Sequence, residues 1–232
     1  TNTTGYGNTA AGKDAMRLNT TGYYNTAYGY QALESNTTGL SNVAIGRNTL
    51  YANTTASNNT GVGYNALAAN TTGANNAALG REALLSNTTG ASNSAFGSTA
   101  LDANTTGSFN TALGQAALGA NTTASNNSAL GYNALTANTT GEANVAIGAS
   151  ALDSNTTGST NIAISKALDA NTTGGNNIGI GYAALNATTT ADNNIGIGRD
   201  ALNDNTSGTR NVAVGSYALD KNTPANDNTA VG

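Results

Sequence analysis

The string Asn-Thr-Thr recurs every 17 residues at Asn2, Asn19, Asn36, Asn53, Asn70, Asn87, Asn104, Asn121, Asn138 and Asn155. The period continues through Asn171 after one 16-residue step, then Thr188, where Thr replaces Asn, Asn205 and Asn222. A fixed internal period over the whole chain is the mark of a repeat architecture. It also answers the concern that a chain rich in Gly, Asn, Thr and Ala has no core, because the residues recur in columns. Numbering each repeat from its first Asn gives the consensus N-T-T-G-x-x-N-x-A-x-G-x-x-A-L-x-x. Slot 7 is always Asn, slot 9 is Ala or Gly, slot 10 is apolar, and slot 11 is Gly except at Ser165. Slots 14 and 15 read Ala-Leu except at Thr49 and Met16, and every charged residue falls in slots 5, 6, 12, 13, 16 or 17.

Seventeen residues are too few for a helical hairpin, and Asn-x-Ala-x-Gly alternates with the period of two expected of a short strand. The predicted fold is all-β: a β-solenoid (parallel β-roll) of thirteen coils and a partial fourteenth. It reads as one repeat domain over residues 1–232 and as a piece of a longer fibre. Coils stacked about 4.8 Å apart make a rod of about 65 Å in which equal slots lie above one another. The Asn of slots 1 and 7 are expected to form stacked amide ladders at turns, and slot 11 to need positive φ. The 16-residue repeat should tighten a surface turn without breaking the stack.

Ordering one coil costs roughly 17–34 kcal/mol at about 1–2 kcal/mol per residue. Burying its Leu and one large aliphatic side chain returns only about 3–6 kcal/mol. Neighbours in a strand point to opposite sides, so the strict smallness of slot 9 is explained if slot 9 and the Leu of slot 15 fill a thin interior. Slots 8 and 10 then face outward. The resulting stripe contains Val43 and Ile45, Val145 and Ile147, and Ile162 and Ile164. It continues through Ile178 and Ile180, Ile195 and Ile197, and Val212 and Val214. An apolar stripe of this kind calls for a partner, which identical chains about an axis supply by symmetry. The predicted partner is therefore the chain itself, in a homo-oligomer; the other reading is a monomer with slot 10 inside.

The segments Asn42-Val43-Ala44-Ile45-Gly46, Asn144-Val145-Ala146-Ile147-Gly148 and Asn211-Val212-Ala213-Val214-Gly215 resemble the head repeats of YadA-like trimeric autotransporter adhesins. The NTTG…ALGYNAL style is also similar to repeat regions of phage-type tail fibres. The adhesin resemblance implies a left-handed parallel β-roll, three chains about one axis and the Val and Ile of the motif at the trimer core. The adhesin-head repeat is shorter, and A-L-x-x-N-T-T-G here supplies an additional ladder. No catalytic residue is implied.

Composition narrows the chemistry. His, Cys and Trp are absent, which removes imidazole bases, thiol nucleophiles, disulfides and Cys- or His-ligated metals. Eight cations against twelve carboxylates give a net charge of −4, the wrong sign for binding nucleic acid through phosphates. No apolar run is long enough to span a bilayer. The acids lie in variable slots, unlike a repeated calcium motif, and no carboxylate pair recurs as a glycosidase would need. The expectation is a non-enzymatic, extracellular, structural or adhesive fibre segment on a cell surface or virion, with no cofactor and no metal. The alternatives are a monomeric ice- or glycan-binding solenoid and a filament subunit joined through open solenoid ends.

One stripe suits a ligand, whether a surface glycan or a protein receptor. Slot 12 runs Lys13, Tyr30, Arg47, Tyr64, Arg81 in successive repeats. Its other reading is mutual stacking of cations and rings on neighbouring rungs. Twelve Asn-Thr-Thr or Asn-Thr-Ser strings from Asn2 to Asn205 are formal N-glycosylation acceptors, although an amide ladder would place them out of reach.

Overall fold

The computed structural model describes residues Asn2–Gly232 and contains strands and turns but no helix among them. The chain packs as two compact units. The first runs to Ala116 and takes in Asn121–Thr123; the second comprises Ala117–Ala120 and Ala124–Gly232. In the first lie β1 (Thr9–Ala11), β2 (Thr26–Tyr28), β3 (Val43–Ile45), β4 (Thr60–Val62), β5 (Ala77–Leu79), β6 (Ser94–Phe96) and β7 (Thr111–Leu113). The second holds β8 (Ser128–Leu130), β9 (Val145–Ile147), β10 (Ile162–Ile164), β11 (Ile178–Ile180), β12 (Ile195–Ile197), β13 (Val212–Val214) and β14 (Thr229–Val231). Every strand covers slots 8–10 and pairs in parallel with the strand one repeat away, as Val43 with Thr60 and Val145 with Ile162. Each unit is a parallel β-solenoid.

The interior is thin and half amide. Ala44 of slot 9, Ala66 of slot 14 and Leu67 of slot 15 are fully buried, and so are Asn36 of slot 1 and Asn42 of slot 7. The strict smallness of slot 9 follows, since strand and Leu meet across a single side-chain layer: a Cβ on Gly196 would sit 3.1 Å from Leu185 Cγ.

Buried amides persist only where they are hydrogen-bonded, and both Asn columns are. In slot 1, Asn36 Nδ2 donates to Asn19 Oδ1 at 2.7 Å and to the Gly39 carbonyl at 3.0 Å. In slot 7, the Asn42 backbone N–H donates to Asn25 Oδ1 at 2.9 Å, and Asn25 Nδ2 donates to the same Gly39 carbonyl at 2.9 Å. The slot 4 carbonyl thus accepts from two ladders, which ties each N-T-T-G turn to the preceding coil. The second unit repeats this arrangement at Gly158, which accepts from Asn155 and Asn144, both at 2.9 Å.

Corners are made by left-handed residues. The glycines of slot 11 have φ from 125 to 147°. At Gly29 a Cβ would come within 2.5 Å of the Gly46 carbonyl oxygen, so both dihedral and space require glycine there. Slots 6, 13 and 15 are left-handed as well, and slot 15 includes Leu in twelve coils at φ 51–56°. Each such Leu carries a conformational penalty of about 1–2 kcal/mol. The return is that the only large core side chain turns inward while its N–H still bonds the next coil, as Leu33 does to the Thr49 carbonyl at 2.9 Å.

The 16-residue repeat loses one residue of the turn after β10. Ser165 takes φ 71° where other coils have glycine. Strand β10 stays in register with β9 and β11, pairing Ile162 with Val145 and Ile178. The deletion is confined to the turn, as the spacing predicts.

Candidate functional site

The described residues enclose no pocket and bring together no acidic cluster that could hold a metal. No helix is long and apolar enough to cross a membrane. What the fold displays is a set of ladders, each built from one slot.

The first is the outer face of the sheet. With slot 9 buried, slots 8 and 10 point outward. Val43 and Ile45 in β3, and the Val and Ile pairs of β9 to β13, stand on this face, half-buried at slot 8 and half-buried to exposed at slot 10. Five successive strands of the second unit therefore present aliphatic side chains in both outward columns. Elsewhere slot 8 is Thr, Ser or Ala, and slot 10 is varied, with Tyr28 64% exposed beside Ile45 at 40%.

The second is the slot 12 stripe. Lys13 Nζ and Arg47 Cζ each lie 5.8 Å from the centroid of the Tyr30 ring, and Arg47 Cζ lies 5.8 Å from that of Tyr64. Four of the five residues singled out by spacing are thus in mutual contact. Arg81 instead pairs with Glu82 at 3.3 Å. The rings and cations stack on one another, and the stripe remains exposed to solvent.

The Thr columns divide. Slot 2 hydroxyls donate to the slot 2 carbonyl of the next coil, as Thr37 Oγ1 does to Thr54 at 3.0 Å. Slot 3 Thr are exposed in single file. One free rank is less than a flat hydroxyl array. The slot 1 acceptors from Asn19 to Asn205 are buried, with their Nδ2 atoms engaged in hydrogen bonds, so a transferase does not reach them in the folded chain. Three acceptors outside that column escaped the spacing argument: Asn58 in Asn58-Asn59-Thr60 and Asn126 in Asn126-Asn127-Ser128 are exposed, and Asn186 in Asn186-Ala187-Thr188 is half-buried.

Two further features lie outside the repeat consensus. Tyr6 stacks on Tyr23 at 5.1 Å, and both meet Tyr24 edge-on at 5.2 Å. The hydrogen bond with Tyr24 and the proximity of its charge hold the Tyr6 hydroxyl above the usual phenol range. Arg17 Nε donates to Glu34 Oε1 at 2.8 Å, its Nη2 contacts the same oxygen, and the buried carboxylate raises the Arg17 pKa. Neighbouring Tyr residues in slots 5 and 6 could have flagged the first. The second needs knowledge that slot 16 lies inward enough to bury Glu34.

Protein-family models, curated proteins and solved structures were compared with the chain, and none matches. Function is therefore argued from these surfaces.

Proposed function

We propose that this chain is a stretch of an extracellular structural fibre, non-catalytic, in which three copies pack about a common axis through the outer sheet face. The reading is carried by the paired Val and Ile columns of β9 to β13, which the described residues leave half-buried to exposed. Contiguous exposed aliphatic surface on a soluble protein marks an interaction site. A second or third copy fits because its own rungs repeat at the same spacing, so that contacts made by one coil recur at the next. In this reading the chain is a shaft or head segment of the kind found in trimeric autotransporter adhesins and phage-type tail fibres, and its work is to be long and stiff and to hold adhesive surfaces outward.

Light scattering after gel filtration, followed over dilution, tests the reading. A stable mass near three chains supports it. A monomer throughout overturns self-association and leaves a single solenoid that binds by its exposed ladders. Growth to polydisperse masses replaces the closed trimer with a head-to-tail filament.

A further inference from the structure

The eight cations do not share one situation. Arg17, Arg81, Lys166, Arg199, Arg210 and Lys221 each pair with a carboxylate. Lys13 and Arg47 have no such partner among the described residues, and both lie against the ring of Tyr30. Residues 1–81 carry four cations and two carboxylates, whereas residues 82–232 carry four cations and ten. Both carboxylates of the earlier stretch, Asp14 and Glu34, are engaged by Arg17, the former at 3.9 Å. The positive charge of Lys13 and Arg47 is thus uncompensated on a protein that is acidic as a whole.

Their setting also orients them. Arg47 lies between the rings of Tyr30 and Tyr64, each at 5.8 Å. Arginine held against aromatic rings loses little further freedom on binding and keeps the fork of N–H donors that matches a carboxylate or sulfate. Lys13 and Arg47 stand two coils apart, about 9.6 Å at the usual strand spacing of about 4.8 Å. Tyr30 and Tyr64, 40% and 43% exposed, supply hydroxyls on the intervening and following rungs. A matching ligand is linear, with well-spaced anionic groups and hydroxyls between them. The phosphates of a nucleic-acid strand are denser, about one per 3.4 Å of duplex axis, and a free inorganic anion would engage only one cation.

We propose that Lys13, Tyr30, Arg47 and Tyr64 form a linear binding site for an acidic polysaccharide with one charged group per disaccharide, lying along the direction in which the coils stack. The site is separate from the outer sheet face, and its ligand goes beyond the fibre reading.

Calorimetric titration of the full chain with a hyaluronan decasaccharide, which carries one carboxylate per disaccharide, tests the proposal. Arg47→Gln and Lys13→Gln should each weaken binding by about tenfold, the loss of one charge-assisted contact. Arg199→Gln, at a residue that stacks on Tyr217 but is neutralised by Asp200, should leave it unchanged. Absence of binding by the unmodified chain at low salt, equal weakening by Arg199→Gln, or tighter binding of oligothymidylate than of the decasaccharide would each overturn the proposal. Light scattering on the same samples reports the assembly independently, so absence of binding by an unmodified chain of the expected mass counts against this site alone.

Discussion

The two units share an interior and differ on the outside. Leu84 in the first and Leu185 in the second are equally buried, and Asn93 and Asn194 carry the same backbone-to-amide bond at 2.9 and 3.0 Å. Outside, β1 to β7 present Thr, Ser, Ala or a single Val in slot 8 and a mixture including Tyr28 and Phe96 in slot 10, while β9 to β13 present only Val and Ile. The charge differs too, the first five coils being the positive part of an acidic chain. Residues that make a coil a coil recur in both; residues that vary between the units lie where a partner or ligand would touch.

The sharpest way to break this comparison is to place charge on each outer face. If copies pack through this face as proposed, Ile180→Asp with Ile197→Asp should dissociate them, because each interface would have to bury unpaired carboxylates. Leu79→Asp with Leu113→Asp should act at least about tenfold more weakly on the concentration at which the mass halves, since the neighbouring slot 8 residues there are Ala77 and Thr111 and more water reaches the charge. Equal effects would mean that the units use their faces alike. The interior makes the opposite prediction: Leu84→Ala and Leu185→Ala should cost a similar amount, about 2–5 kcal/mol each in urea unfolding.

Much of this was legible from spacing. The invariance of Asn in slot 7 and the smallness of slot 9 placed the ladders and turned the strand over, because a column that never varies is a column something touches on every rung. Slot 11 announced its positive φ through glycine. Slots 6 and 13 did so faintly, through Asn58, Asn75, Asn48 and Asn65, since Asn tolerates the left-handed region better than most residues. Slot 15 gave no signal: Leu is a poor choice for φ near 53°, and only packing explains why Leu33 adopts it. Among the stripe residues, spacing grouped Lys13, Tyr30, Arg47 and Tyr64 but could not show that Arg81 turns to Glu82, a choice of rotamer.

The amide ladder sharpens the comparison from inside. In the first unit slot 1 is Asn in every coil, and the bonds from Asn19 to Asn2 through Asn121 to Asn104 are continuous. In the second unit Thr188 interrupts it. Its hydroxyl donates to the Asn205 carbonyl at 2.8 Å, and Asn171 Oδ1 is left buried with no donor. Thr188→Asn should supply that donor and accept from Asn205, raising stability by about 1–2 kcal/mol. Asn93→Ala in the slot 7 ladder of the first unit should cost about 1–3 kcal/mol, because the Asn110 backbone N–H loses its acceptor and the Gly107 carbonyl keeps only Asn104 as a donor. If Thr188→Asn is neutral or destabilising, the amide column is not the common element the comparison takes it to be.

The smallest expected effect is on acid stability, and its sign separates the two kinds of carboxylate. With no histidine, stability should be flat from about pH 6 to 8. Burial raises the Asp102 carboxyl in the first unit; in the second, burial and then the charge of Asp169 raise Asp153. A carboxyl whose folded pKa exceeds its unfolded value stabilises the fold most when protonated, and that contribution is lost as pH rises through the folded pKa. Asp227 is opposite: its hydrogen bond with Arg210 lowers its pKa, so its contribution exists above the unfolded value and is lost as pH falls. Arg210 and Asp227 are exposed and their pairing is weak. Mild acidification toward pH 4 should therefore raise the melting temperature slightly. Asp153→Asn, which removes the carboxyl that burial raises in the second unit, should flatten the rise, and Asp102→Asn should do the same in the first. A fall in melting temperature over that range, unchanged by either substitution, would mean that the exposed ion pairs outweigh the half-buried carboxylates.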